Sequence, residues 1–599
     1  MAQFRARSTP KPIDCQNWIC QFGRTRSRCF PNVCAPGWLD VENLEGGSAV
    51  AKEKSGYYGT RRKFWTWGYE GEDNSQDEIR IMRERVEQRL GIKDIKVLSD
   101  PTLDEIELYP SRIKIPRTLE DFCTSEKWDR IVHTYGKGFK DMTLIYRRDF
   151  KKAPDVVAYP RDEEDIAAIF DWCGENGYAC IPYGGGSSVT GGFWGPERDA
   201  FPGVVVIDLG NLNQILEIDP VSRCARIQAG ILGPALEEQL KPHGLTLRHI
   251  PQSWEFSSLG GWIATRSSGH YATHLTHIDD MVESLRVVTP AGTIQNRRLP
   301  GSGAGPNPDR LFIGSEGTMG IITDAWMRLQ GRVKFRANAS ISFKTFYEGA
   351  KAVRQITQAG LFPANCRYLD EQDAKFYGAG DGTDSVLLLG FESADHPVDA
   401  WLERGLEICK DFGGVVKQRA GTADNALETS RSGPQGNWRH QFRYLPRLMH
   451  TRAAMGIVSF TFETAYTWDR FEEVDTEIMR RVRAAQKEHL GGGIVCRRFS
   501  FLYPDGPAPY YSIMAPSTHD NSLEAYSMLH DVASNALIEL GATITHHHAV
   551  GKSFRPWYDK EVDPLFRRVL AAAKTELDPN WMLNPGLLVD KPAGLKIVG

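Results

Sequence analysis

The stretch Ile181-Pro182-Tyr183-Gly184-Gly185-Gly186-Ser187-Ser188-Val189-Thr190-Gly191-Gly192 sets five glycines and three aliphatic hydroxyls directly behind an apolar segment. Glycines lacking a Cβ let the backbone take φ > 0 and aim several N–H groups at one point, and short hydroxyls add donors around a phosphate-like charge. The segment reads as an anion cradle. It lacks the Gly-Lys-Ser/Thr ending of a Walker loop, and its glycine spacing does not fit Gly-x-Gly-x-x-Gly. A flexible surface turn is the plainer alternative, but each glycine costs roughly 0.5–1 kcal/mol inside ordered structure, which weighs against five without a use.

Two more glycine-marked stretches follow. Leu259-Gly260-Gly261-Trp262 through Gly269 is expected to be a helix opening on a glycine pair, its free N–H groups facing a polar ligand. Gly314-Ser315-Glu316-Gly317-Thr318-Met319-Gly320-Ile321 is the third. Around them short strands alternate with helices: strands at 155–160, 179–182, 204–209, 224–230 and 285–289, and a helix at 162–177. Further on, the β-like run 385–391 alternates with helices at 348–358, 398–412 and 469–488. The fold class is α+β. The expected division is a leader and helical region at 1–117, a cofactor domain at 118–332, an α+β cap at 333–540, and a C-terminal segment, 541–599, that closes the site.

The totals narrow the partners. Of 599 residues, 72 are Lys or Arg and 76 Asp or Glu, a net charge of −4, so nothing draws the chain as a whole to nucleic acid. Any anion must be held locally. No apolar run is long enough to span a bilayer, and no secretory, prenylation or Ser-Lys-Leu-type peroxisomal signal is readable. A cytoplasmic or peripheral membrane protein is expected. Cys15, Cys20, Cys29 and Cys34 lack the C-x-x-C pairs of common zinc modules and are expected to be reduced cysteines of a loose leader. In Arg61-Arg62-Lys63-Phe64-Trp65-Thr66-Trp67-Gly68-Tyr69, packing of the aromatics on a neighbouring domain is favoured over a grip on RNA. A helix is expected over 75–91.

Together the three glycine stretches resemble the flavin-binding domain of the vanillyl-alcohol oxidase-type, or FAD-linked oxidase, family over residues 150–330. The resemblance implies a PCMH-type FAD-binding domain plus an α+β cap. It implies FAD contacts from Pro182, Gly184, Gly185, Gly186, Ser187, Ser188 and Val189; from Pro251, Ser253, Ser257, Gly260, Gly261, Thr265, Arg266 and Gly269; and from Glu316, Gly317, Gly320 and Ile321. Several family members tether FAD through a histidine in the glycine loop. Residues 184–192 contain none, so non-covalent FAD is expected.

Pro251 to Gly269, together with Thr545-His546-His547-His548-Ala549-Val550-Gly551-Lys552, is similar to the alkyldihydroxyacetonephosphate synthase branch of that family. So are Phe462-Glu463-Thr464 and Asn584-Pro585-Gly586, and the likeness runs from about 120 to 588. The branch usually carries Pro-Asp-Ser where Pro251-Gln252-Ser253 stands and a Tyr-Gly pair near Leu275-Thr276. The resemblance implies alkylglycerone-phosphate synthase activity: exchange of the acyl chain of acyl-dihydroxyacetone phosphate for a fatty alcohol, forming the ether bond through a covalent flavin–substrate adduct without net redox. An FAD-dependent 2-hydroxy-acid dehydrogenase of the D-lactate or glycolate type is the alternative. Peripheral membrane contact and a homodimer are compatible with either; nucleic acid is not expected.

The resemblance assigns Tyr510 as the proton-transfer group, with Tyr511 one alignment step away. A tyrosine near its usual value of about 10 is a poor base at neutral pH, so positive charge is expected beside it, supplied by the histidines. His546, His547 and His548 alternate faces if extended, so at most two can share a cavity. With no carboxylate evident beside them, no metal is expected, and they are read as acid/base groups or phosphate contacts. Arg367 matches a family arginine suited to phosphate, with a surface ion pair to Asp370 as the alternative. Arg443, Arg447 and Arg452 compete for a second phosphate contact, and Arg447 is chosen.

Overall fold

Strand Ala179–Tyr183 is apolar on both faces, as a parallel strand covered on both sides must be. It pairs in parallel with Val204–Asp208, which pairs in parallel with Val156–Ala158, and Cys123–Thr124 closes this four-stranded sheet antiparallel. The computed structural model describes residues 61–422 and 433–593; the four leader cysteines lie outside them, and the described part falls within the compact unit Lys52–Gly599. A second, antiparallel sheet of five strands runs Ile215–Asp219, Cys224–Gln228, Ile321–Arg328, Val282–Thr289, Gly292–Gln295. The first glycine stretch leaves the end of Ala179–Tyr183, and the third leads directly into Ile321–Arg328.

The expected helices appear at Gln76–Leu90, Glu163–Asn176, Phe346–Gln358, Asp399–Asp411 and Phe471–Leu490. One is shorter than its glycine pattern predicts. The helix opening at 259 spans only Leu259–Ala264, with Ser258 as N-cap. Arg266 takes φ 52°, and the Ser267 N–H returns to the Trp262 carbonyl at 2.9 Å, a left-handed C-terminal cap that stops the helix.

A seven-stranded sheet dominates the second half, in the order Val415–Ala420, Phe335–Phe343, Ser385–Ser393, Asn365–Leu369, Ile494–Leu502, Pro507–Ala515, Val458–Glu463. Its side chains divide by the two-residue period of a strand. Tyr368, Phe499, Tyr511 and Phe462 point into the largest hydrophobic core, among helices Phe346–Gln358 and Phe471–Leu490. Each such aromatic contributes roughly 1.5–3 kcal/mol by burial. The alternate residues Arg367, Arg498, Tyr510 and Thr461 face the opposite way, into a cavity. A bulge between Phe499 and Phe501 interrupts that alternation, and both Ser500 and Phe501 line the cavity.

The aromatic segment after residue 60 packs inward, as favoured from sequence. Phe64 and Trp67 are buried, and the rings of Trp67 and Tyr69 each lie 5.7 Å from Phe256. No helix among the described residues is long and apolar enough to cross a membrane.

Candidate active site

The three glycine stretches touch one another. A Cβ on Gly185 would lie 1.9 Å from the Phe256 carbonyl, one on Gly184 would lie 2.2 Å from Ser258 Oγ, and one on Gly317 would meet Pro182 Cγ at 2.9 Å. Gly186 sits at φ +67°, where its Cβ would also strike the Tyr183 hydroxyl. Glycine is therefore required by close approach as well as by conformation. The result is one wall of a cavity to which all three segments contribute.

This wall contains Pro182, Gly184, Gly185, Gly186, Ser187, Ser188 and Val189, then Pro251, Ser253, Ser257, Gly260, Gly261, Thr265 and Gly269, and finally Glu316, Gly317, Gly320 and Ile321. Arg266 does not join them: beyond the helix cap its side chain is 55% exposed and pairs with Asp279 at 2.9 Å. The donor set fits FAD: main-chain groups free of intervening Cβ atoms suit a pyrophosphate, and Trp67, Phe193, Leu209 and Ile322 supply apolar surface for a flat ring.

Glu316 also fastens the wall. Its carboxylate accepts from the N–H groups of Val550 and Gly551, each at 2.9 Å, and Asn584 Nδ2 donates to the Glu316 and Gly192 carbonyls at 2.8 and 2.9 Å. These contacts hold Glu316 at φ 50° and tie the histidine run to the cofactor wall. Burial pushes the Glu316 carboxyl up to about 7, against those two N–H bonds.

The opposite wall is the open face of the seven-stranded sheet. Tyr510 pairs across strands with Arg498, whose guanidinium lies 4.1 Å from the Tyr510 ring centroid; the Tyr510 hydroxyl donates to Thr461 Oγ1 at 2.9 Å. Tyr511 is on the other face, bonded to Asp475 at 2.9 Å. Arg498 keeps Asp373 as its buried partner at 3.2 Å. Arg367 is 4% exposed, donates to the His270 carbonyl at 3.4 Å and leaves Nη1 without a partner. Burial, with Arg498 nearby, pushes it down to about 9, so it stays charged at neutral pH. Asp370 does not pair with it: that carboxylate caps helix Glu371–Phe376 and accepts from the Arg497 N–H at 2.8 Å.

Glu463 organises the histidine run. Its carboxylate accepts from the Thr545 hydroxyl at 2.7 Å, from the His548 N–H at 2.9 Å, from the His547 N–H at 3.2 Å, and from the His546 N–H. The segment bends around this one carboxylate, so adjacent His547 and His548 both line the cavity while His546 points away. The absence of a carboxylate beside the histidines, expected from sequence, is thus corrected: Glu463 lies 3.4 Å from Nδ1 of His547 and 3.5 Å from Nδ1 of His548. Burial alone would raise Glu463; His547 and His548 hold it well below the usual range. Burial, with His547 beside it, pushes His548 down to about 4.

Two further expectations change. The fixed positive charge beside Tyr510 is Arg498, because burial keeps His548 neutral at neutral pH. Arg447 lies off the cavity, paired with Glu255 at 2.6 Å. Arg498 is the basic residue that sequence reasoning missed; it precedes the missed bulge, and strand register alone places it opposite Tyr510. Glu463 was visible inside Phe462-Glu463-Thr464 but carried no role until the fold brought it to the histidines.

Residues 154–297 match the FAD binding domain family and residues 332–588 the C-terminal domain of FAD linked oxidases. An alkyldihydroxyacetonephosphate synthase of Dictyostelium discoideum is 27% identical over 515 residues, 81% of this chain and 82% of that protein. A solved alkyldihydroxyacetonephosphate synthase superposes with a TM-score of 0.72 at 23% identity, covering 88% of this chain and 98% of the other. A p-cresol methylhydroxylase with substrate bound shares the fold at a TM-score of 0.63 and 16% identity, over 79% of this chain and 95% of its own.

Proposed function

Because the chain is a flavin enzyme of the FAD-linked oxidase family, with FAD as its cofactor, we propose that it is an alkylglycerone-phosphate synthase, replacing the acyl chain of acyl-dihydroxyacetone phosphate with a fatty alcohol. The observation that carries this reading is Arg367: a buried, charged guanidinium on the cavity wall, with Nη1 unpartnered and no ion-pair partner among the described residues. A buried charge in that state is costly unless a ligand anion completes it. The substrate phosphate is that anion, held by a planar fork suited to its oxygens.

Tyr510 takes and returns the proton on the carbon beside the ketone. Burial raises its pKa, and Arg498 against its ring opposes that rise by favouring the phenolate. Thr461 orients the hydroxyl, and His547 and His548 line the same space. The fatty chain runs along Trp438, Phe442, Pro446 and Met449, which give the cavity an apolar side. The chemistry FAD would supply when bound is an electrophilic ring nitrogen facing the carbon that Tyr510 has deprotonated, with no net redox change; it would be held without a covalent tether.

Incubating the purified protein with labelled hexadecanol and acyl-dihydroxyacetone phosphate, with no electron acceptor, tests the reading. Labelled ether product and released fatty acid in equal amounts are expected. No ether product, alongside reduction of an added acceptor by a 2-hydroxy acid, would move the assignment to a dehydrogenase.

A further inference from the structure

Three imidazoles stand in hydrogen-bonded series from the cavity wall to the protein surface. His547 lines the cavity, its ring centroid 6.0 Å from that of Tyr510. Its Nδ1 is 3.1 Å from Nδ1 of His546, whose Nε2 is 3.2 Å from Nε2 of His277. The Nδ1 of half-buried His277 lies 3.1 Å from the Arg266 carbonyl, at an exposed position.

The hydrogen-bonding partners fix the direction of this series. A peptide carbonyl only accepts, so His277 carries its hydrogen on Nδ1 and accepts at Nε2. His546 must then donate from Nε2 and accept at Nδ1, and His547 donates from Nδ1, whose hydrogen lies between His546 Nδ1 at 3.1 Å and Glu463 Oε2 at 3.4 Å. Every link points outward. The Tyr503 hydroxyl, 2.7 Å from His546 Nε2 and 3.1 Å from Thr276 Oγ1, accepts from the same nitrogen and donates to Thr276. Groups facing His277 are Asp279, Asp280, Arg266, Tyr503, His249, His546 and His547, with the Ser268 hydroxyl 3.3 Å from its Nδ1. Burial holds both His546 and His277 below the usual imidazole value.

We propose that His546 and His277 relay protons between His547 in the cavity and solvent; the proposal rests on the exchange reading above, in which a proton leaves a substrate carbon and later returns. A proton arriving on His547 Nε2 releases the Nδ1 hydrogen to His546 Nδ1. The His546 Nε2 hydrogen passes to His277 Nε2, and the His277 Nδ1 hydrogen passes to water. Each ring gains one N–H bond and loses one, and no electrons change hands. Reprotonation of the carbon draws a proton back along the same links and restores the starting tautomers. Imidazole suits such a shuttle because its two nitrogens are separate sites and its ordinary value lies near neutrality. His546 and His277 are positioning residues that act through His547.

The test runs the exchange reaction in D2O and reads both kcat and the deuterium incorporated at the substrate carbon. Ether formation by the unaltered protein is measured first; its absence overturns the exchange reading and the relay with it. His277→Asn supplies an amide that can hydrogen-bond but cannot take a proton at one end and release it at the other; His546→Gln breaks the series one link inward. Both are expected to keep FAD and to lower kcat by about tenfold, less than the ~10²–10⁴-fold of a lost acid/base group. Deuterium per turnover should fall, and added imidazole should restore both readouts. A kcat within about twofold of the unaltered protein with undiminished deuterium in both variants, or a loss that imidazole leaves untouched, would overturn the relay.

Discussion

The two walls of the cavity are built on opposite principles. The cofactor wall is main chain brought close by glycines from three segments, and the sheet wall is a set of long side chains, Arg367, Arg498 and Tyr510, raised from neighbouring strands. A wall of main chain tolerates almost no added atom, because each Cβ meets a carbonyl or a side chain within van der Waals range. A wall of side chains can lose a functional group and keep its shape. Substitutions on the first are therefore expected to remove cofactor and fold together, and substitutions on the second to remove chemistry alone.

Tyr510→Phe should show the largest separation: loss of ether formation by more than about 100-fold with FAD content unchanged, since only a proton-transfer group is deleted. Loss of FAD in that variant would erase the distinction between the walls. Gly185→Ala should do the reverse, because its Cβ would lie 1.9 Å from the Phe256 carbonyl; a colourless or poorly folded protein is expected, and a yellow, active one would contradict the packing described. Arg367→Ala should lower kcat/KM for the phosphate-bearing substrate by roughly 10- to 100-fold, the equivalent of about 1.5–3 kcal/mol for hydrogen bonds to a charged group, with FAD retained. Equal losses for phosphate-bearing and phosphate-free substrates would remove its assigned role.

The smallest effect concerns pH. Burial pushes His548 and His450 down to about 4, and His249 and His270 down to about 3, from an ordinary value near 6.5. Between that value and the folded one the unfolded chain binds the extra protons, so stability is complete above about 6.5 and is lost as pH falls toward 4. Glu316, raised to about 7, acts in the opposite sense, the folded chain holding its proton between about 4.5 and 7. Asp370, raised to about 7, and Asp141, raised to about 6, act with Glu316. These histidines, joined by His530 at about 4, outnumber the three carboxyls, so the urea midpoint at pH 5 should lie below that at pH 7. In Glu316→Gln its opposing contribution is gone and the drop should be larger; a smaller drop would refute the sign assigned to Glu316.

The same contrast explains what could be read from the chain. The cofactor wall was legible because its constraint is local: Gly184 to Gly186 have no room for a Cβ, and such runs stand out in a sequence. Arg498 and Glu463 were not, because their roles depend on register across strands far apart in the chain, Arg498 opposite Tyr510 and Glu463 beside the histidine run. Arg447 was chosen among three nearby arginines by sequence position, and only the fold shows it spent on Glu255. Arg266 was assigned on motif membership, while the left-handed cap at its own φ turns it outward. His277 lies beside the departure from the family pattern at Leu275-Thr276, yet nothing local connects it with His546.

The visible spectrum of the protein during turnover tests the central claim most directly. With acyl-dihydroxyacetone phosphate and fatty alcohol and no electron acceptor, ether product should accumulate over many turnovers while oxidised flavin absorbance returns fully once substrate is spent, and acid should then release the FAD from the chain. Bleaching by D-lactate or glycolate, with no ether formed, would contradict the account.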